Sequence, residues 1–132
     1  MKIDFVSEVG NSCGLSAAEL ESLAKDVAIK LSKNSGTVEV ILITDGRIRE
    51  LNKKFRGKNT VTDVLSFPQE KFVEAKENVI GTIFIAPNYA AKNNEDCETL
   101  FVHGLLHLLG FDHEKNASDW QDAENKINKS TL

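Results

Sequence analysis

Between Cys97 and Leu109, apolar side chains run nearly all the way round a helical wheel: Cys97, Leu100, Phe101, Val102, Leu105, Leu106, Leu108 and Leu109. A helix with no polar face is a buried helix, so the rest of the chain has to enclose it. Asn93 and Asn94, followed by the acids Glu95 and Asp96, suit the positive end of a helix dipole. The pattern therefore predicts a helix that starts at Asn93 or Asn94 and runs to Leu109. Gly110 follows as a residue free to take positive φ at the helix end.

The elements that could enclose this helix are readable from period and punctuation. Residues 2–7 alternate Ile3 and Phe5 with Lys2 and Asp4, a short strand. Ser16, with Glu19 three residues on, opens a helix carrying Leu20, Leu23, Ala24, Val27 and Leu31, and Asn34-Ser35-Gly36 ends it. Thr37–Thr44 is β-branched and apolar, a strand with much of its surface buried. Asp45 is expected to cap a second helix with Ile48, Leu51, Asn52 and Phe55 inward, followed by a basic turn over 53–58. Thr62–Phe67 reads as a strand ended by Pro68, 69–78 as a polar loop, and Val79–Ala86 as a strand stopped by Pro87. A last amphipathic helix is expected over 117–129, with Trp120, Ala123 and Ile127. No repeat or linker divides the chain. These elements predict one α+β domain over residues 1–132, with a sheet of about four strands.

Composition narrows the function classes. With 41% hydrophobic and 27% charged residues, the chain is ordinary for a globular protein. It has no apolar run of about 18 residues, so no membrane helix and no membrane partner are expected. Asp4 and Glu8 interrupt any signal-peptide core, which makes the cytoplasm the default location. There Cys13 and Cys97, two isolated residues without CxxC spacing, are expected to be free thiols. A net charge of −4 argues against indiscriminate nucleic-acid binding but leaves room for a local basic cluster.

The chemistry concentrates on the buried helix. All three histidines of the chain, His103, His107 and His113, fall within eleven residues. His103 and His107 are four apart, so they project from one helix face and can reach one ion. The turn at Gly110 can deliver His113 as a third ligand. Three ligands leave a fourth tetrahedral position for water, the arrangement of a catalytic zinc. Structural histidines alone would leave several imidazole nitrogens without partners in an apolar site. The spacing HxxxHxxGxxH resembles that of the metzincin proteases and makes this a zincin-like helix. Those proteases place a glutamate base after the first histidine, however, and Gly104 stands there instead. Metal geometry is retained while the peptidase base is lost.

Two long motifs carry a more specific resemblance. VHGLLHLLGFDHE (102–114) and LNKKFRGKNTVTDVLSFP (51–68) resemble the YbeY family of bacterial metal-dependent endoribonucleases, over about residues 38–126. The resemblance implies an α+β fold with the metal helix packed on a mixed sheet and one Zn2+ per chain. It also implies cleavage of single-stranded RNA in 16S rRNA 3′-end maturation and ribosome quality control, with rRNA and the ribosome or its small subunit as partners. Two departures stand out: Thr82 replaces an acid usual in the family, which puts any role of that carboxylate near the metal in question, and Trp120 stands where Met is common.

Arg56 matches the family's arginine in the basic turn. Its planar fork suits a phosphodiester, so it is the expected catalytic phosphate-binding residue, against the alternative of an exposed arginine at a helix end. Lys58 and Ser66 are candidate substrate contacts, with Lys53 and Lys54 as weaker ones that could steer RNA. Asp63 either orients a ligand histidine or caps the start of its strand. Asp112 either orders the turn before His113 or orients an imidazole, and Glu114 is either a proton acceptor or, as most such residues are, merely exposed. No dedicated general base is visible. Two other readings stay open: a zinc metallopeptidase-like hydrolase, and a non-catalytic ribosome-assembly factor with structural zinc.

Overall fold

The computed structural model describes residues 1–10, 13–30, 36–69 and 79–110. In chain order the elements are β1 (Lys2–Ser7), α1 (Ala17–Lys30), β2 (Thr37–Leu42), α2 (Asp45–Arg56), β3 (Val64–Pro68), β4 (Val79–Ile85), α3 (Pro87–Lys92) and α4 (Cys97–Leu108). The strands form one mixed sheet in the order β1-β2-β4-β3. β1 and β2 are parallel, as are β2 and β4, while β3 runs antiparallel to β4 at the sheet edge.

Side-chain alternation divides the sheet into two faces. Ile3, Val38, Val40, Leu42, Ile83 and Ile85 point to one side, where they meet Leu20, Ala24 and Val27 of α1 and Leu100, Phe101, Leu105 and Leu106 of α4. Leu65, Phe67 and Phe84 point to the other side, where they meet Ile48 of α2. Phe67 stands at the centre of that second cluster, with ring centroids 5.1 Å from Phe55 and 5.9 Å from Phe84. Phe101 is fully buried at the heart of the first. The apolar helix is thus covered by the sheet beneath and α1 beside it, while Val102, Leu108 and Leu109 on its remaining side are half-buried.

Local chemistry explains most element ends. Ser16 Oγ accepts the Glu19 amide at 3.2 Å and starts α1 as expected. The second helix is capped one residue earlier than expected: Thr44 Oγ1 accepts the Arg47 amide, so Asp45 is inside the first turn. The expected basic turn is largely helix, because Lys53, Lys54 and Arg56 form the last turn of α2 and left-handed Gly57 ends it. Pro87 both stops β4 and opens the short α3, since its fixed φ and missing N–H suit a first helical turn. Consequently Asn93 caps the end of α3, and α4 begins only at Cys97, after Asp96. Gly110 takes the expected positive φ of 97°.

Cys13 and Cys97 form a disulfide, which corrects the expectation of free thiols. The fold sets the turn before α1 against the first residue of α4, bringing the two Cα atoms within 6.3 Å across a sequence separation of 84. The expected ends at 31–35, most of the loop at 69–78, and the helix over 117–129 lie outside the described residues.

Candidate active site

α4 packs closely onto the sheet where two glycines remove side chains at the contact. A Cβ on Gly104 would stand 2.7 Å from Ser66 Oγ and 2.9 Å from Ile83 Cγ2. One on Gly81 would meet the Phe67 carbonyl oxygen at 2.5 Å and Leu108 Cδ2 at 2.6 Å. The position that holds a catalytic glutamate in metzincins therefore faces down into β3 and β4, with no room for any side chain. Ser66, expected to contact substrate, is instead buried beneath that glycine.

On the outer part of α4 the rings of His103 and His107 lie 5.1 Å apart between centroids, inclined at 62°. Two imidazoles holding one ion tetrahedrally at the usual zinc–nitrogen distance would have centroids about 5.2 Å apart. The pair thus has the separation of two ligands to one metal. Both rings are half-buried, open enough to be reached from solvent. His113, with Asp112 and Glu114, lies outside the described residues. Among the described residues no group of three His, Cys, Asp or Glu side chains converges on a common point.

Beside His103 opens a cleft of about 500 Å³, also lined by Asp63, Val64, Asn94, Glu95, Asp96, Thr99 and Leu100. Asp63 enters it from the start of β3. There its Oδ1 accepts the Val64 amide at 2.7 Å and the Thr62 hydroxyl at 3.3 Å, while its carbonyl accepts the Ala86 amide at 2.9 Å. The strand-capping role is therefore visible, and the same residue shares a cleft with a histidine. Glu95 faces Asp63 across this cleft. Its hydrogen bond to Asp63 is the main reason that its carboxyl is raised from 4.5 to about 7, with burial and the Asp63 charge adding to the effect. A protonated Glu95 donates to the Asp63 carboxylate, and Glu95 gains or loses that proton near neutral pH. Sequence reasoning read Glu95 only as a helix-dipole acid. Nothing local signals its pairing, because Asp63 is on a different element.

The acidic lining favours a cation over a phosphate at this cleft. The expected phosphate-binding residues lie elsewhere. Arg56 and Lys58 are exposed at the end of α2, on the opposite side of the sheet from α4, and do not line the cleft. Thr82 also belongs to that other side: its neighbours Gly81 and Ile83 face α4, so the buried Thr82 faces away from it. The missing carboxylate would not have pointed at the histidines.

Fold and site together define a class: single-domain α+β proteins in which a buried helix, pressed onto a mixed sheet, presents two histidines one turn apart beside a cleft. Comparison with known proteins gives that class a family. The family model described as Endoribonuclease YbeY matches residues 9–130, and the chain belongs to this family. A Sulfurihydrogenibium protein named Endoribonuclease YbeY is 37% identical over 82% of this chain and 78% of its own length. A Sulfurovum protein of the same name is 35% identical over 92% of this chain and 88% of its own. The solution structure of a Thermotoga maritima protein superposes with a TM-score of 0.53 at 30% identity, covering 95% of this chain and 86% of that one.

Proposed function

We propose that this chain is a zinc-dependent endoribonuclease that cuts single-stranded RNA, acting in the cytoplasm in 16S rRNA 3′-end maturation and ribosome quality control. The observation that carries the reading is the His103–His107 pair at metal-ligand separation beside an open cleft, in a chain of an endoribonuclease family. His103 and His107, joined by His113 from beyond the helix, would hold the ion. When bound, zinc supplies a nucleophile at neutral pH by acidifying a coordinated water.

The chain's own groups divide the remaining work by charge. The acidic cleft accommodates the cation. Arg56, on the α2 side of the sheet, is the guanidinium suited to a backbone phosphate of the bound RNA, and Lys58 beside it adds charge that draws in the RNA. Asp63 fixes the near wall of the cleft through its bonds to Thr62 and Val64. Peptide hydrolysis by a glutamate base next to His103 has no support, since Gly104 is packed against Ser66 and Ile83.

The test is hydrolysis of sequence-matched single- and double-stranded RNAs by the zinc-loaded protein, with casein as a peptide control. Selective cleavage of the single strand, lost in Arg56→Ala with zinc still bound, is the expected result. Cleavage of casein in place of RNA, or of neither polymer, would overturn the reading.

A further inference from the structure

The cleft beside His103 carries Asp63, Glu95 and Asp96, so even with a bound divalent ion it offers little net attraction for the polyanion it is proposed to cut. The force that holds RNA has to come from another surface, and the chain, with a net charge of −4, offers few. The outer side of α2 concentrates them: Arg47, Arg49, Lys53, Lys54 and Arg56 are all exposed on one helix of 12 residues.

These five do not form one patch. At 3.6 residues per turn, Arg49, Lys53 and Arg56 fall within about 60° of arc, in a row about 10 Å long. Arg47 and Lys54 fall on the other flank, where Arg47 pairs with Glu8 at 3.5 Å and the Lys54 ammonium stands 5.3 Å from the Phe55 ring centre. The helix dipole accounts for basic residues in the last turn of α2 but not for Arg49, which lies outside that turn. The flank bearing the row is also the one against the segment that leads to the cleft. Arg49 Nε donates to Asn59 Oδ1 at 2.9 Å, and the neighbouring Asn52 donates to the Thr60 carbonyl at 3.0 Å. That segment continues to Asp63 at the start of the edge strand β3, and Asp63 lines the cleft with His103.

We infer that Arg49, Lys53 and Arg56 form a phosphate track that grips single-stranded RNA on the α2 side and leads it around the β3 edge to the histidine cleft. The inference rests on the endoribonuclease reading and adds Arg49 and Lys53 as binding residues. Backbone charges regularly spaced along one line are what a sequence-tolerant single-strand surface requires.

The test compares two double variants of equal charge change, Arg49→Ala/Lys53→Ala and Arg47→Ala/Lys54→Ala. The probe is a fluorescent 2′-O-methyl oligouridylate, checked on a gel to be intact after each titration and titrated over a range of salt. Releasing two fewer counterions should lower the slope of log affinity against log salt by about 1.4 for the first variant. The second should keep the wild-type slope, and both should keep the wild-type unfolding midpoint. Equal slope changes in the two variants, or none in either, would overturn the track while leaving the enzyme reading standing. A wild-type protein that does not bind the oligonucleotide at all would overturn both.

Discussion

Gly104 lies so close to Ser66 that a single added methyl would overlap the serine hydroxyl, at 2.7 Å. The contact links the architecture to the chemistry. It lets α4 settle onto β3 and β4, which leaves His103 and His107 half-buried together on the neighbouring face of the helix. It also rules out the side chain that would make the site a peptidase. Gly104→Ala should therefore destabilise the protein by about 1–3 kcal/mol despite alanine's better helix propensity. Adding Ser66→Ala removes one of the two closest atoms and should recover part of the loss. Thermal unfolding of the two single variants and the double variant gives the coupling, and additive effects would show that the contact is not the cause.

Gly104→Glu, which restores the metzincin spacing, should yield no casein hydrolysis and a lower unfolding midpoint than Gly104→Ala. A folded, proteolytic Gly104→Glu protein would show that the helix can lift off the sheet.

The paired cysteines predict a redox-dependent stability. Closing a loop across 84 residues is worth about 4–5 kcal/mol in the chain-entropy treatment, an upper bound for the difference between oxidised and reduced protein. Reductant should lower the unfolding midpoint of the wild type, and Cys13→Ser should start low and not respond. A thiol titration finding two reactive thiols in the unreduced, denatured protein would remove the disulfide.

Glu95 gives stability a pH dependence whose sign is fixed. Its folded value of about 7 exceeds its ordinary 4.5, so the folded state binds the proton more tightly. This contribution is fully present below 4.5 and is lost as pH rises through 7. Glu95→Gln should hold its unfolding midpoint better than the wild type between pH 5 and 8. Parallel pH profiles of the two proteins would mean that Asp63 does not raise Glu95.

What was legible in the sequence was what depends on spacing within one element. The i,i+4 pair His103 and His107, the Ser16 cap and the buried α4 all follow from helical period. Errors of a residue or more came where neighbours compete for one role, as Thr44 and Asp45 do for the cap of α2. The six-residue α3 is too short to show a period, and it displaced the start of α4 to Cys97. The features that needed the fold are contacts across elements: Cys13 to Cys97, Asp63 to Glu95, and Ser66 under Gly104. The side of the sheet that Thr82 faces became readable only once the neighbours of Gly81 and Ile83 were known.

The central claim is that the histidines of α4 hold the metal that makes this chain a nuclease. Elemental analysis of purified wild-type and His107→Ala protein, with single-strand RNA cleavage measured on the same samples, tests it most directly. The account predicts about one zinc per wild-type chain, and loss of both zinc and cleavage in His107→Ala at unchanged helical content. Full zinc occupancy in the variant, or cleavage that survives without it, would contradict the account.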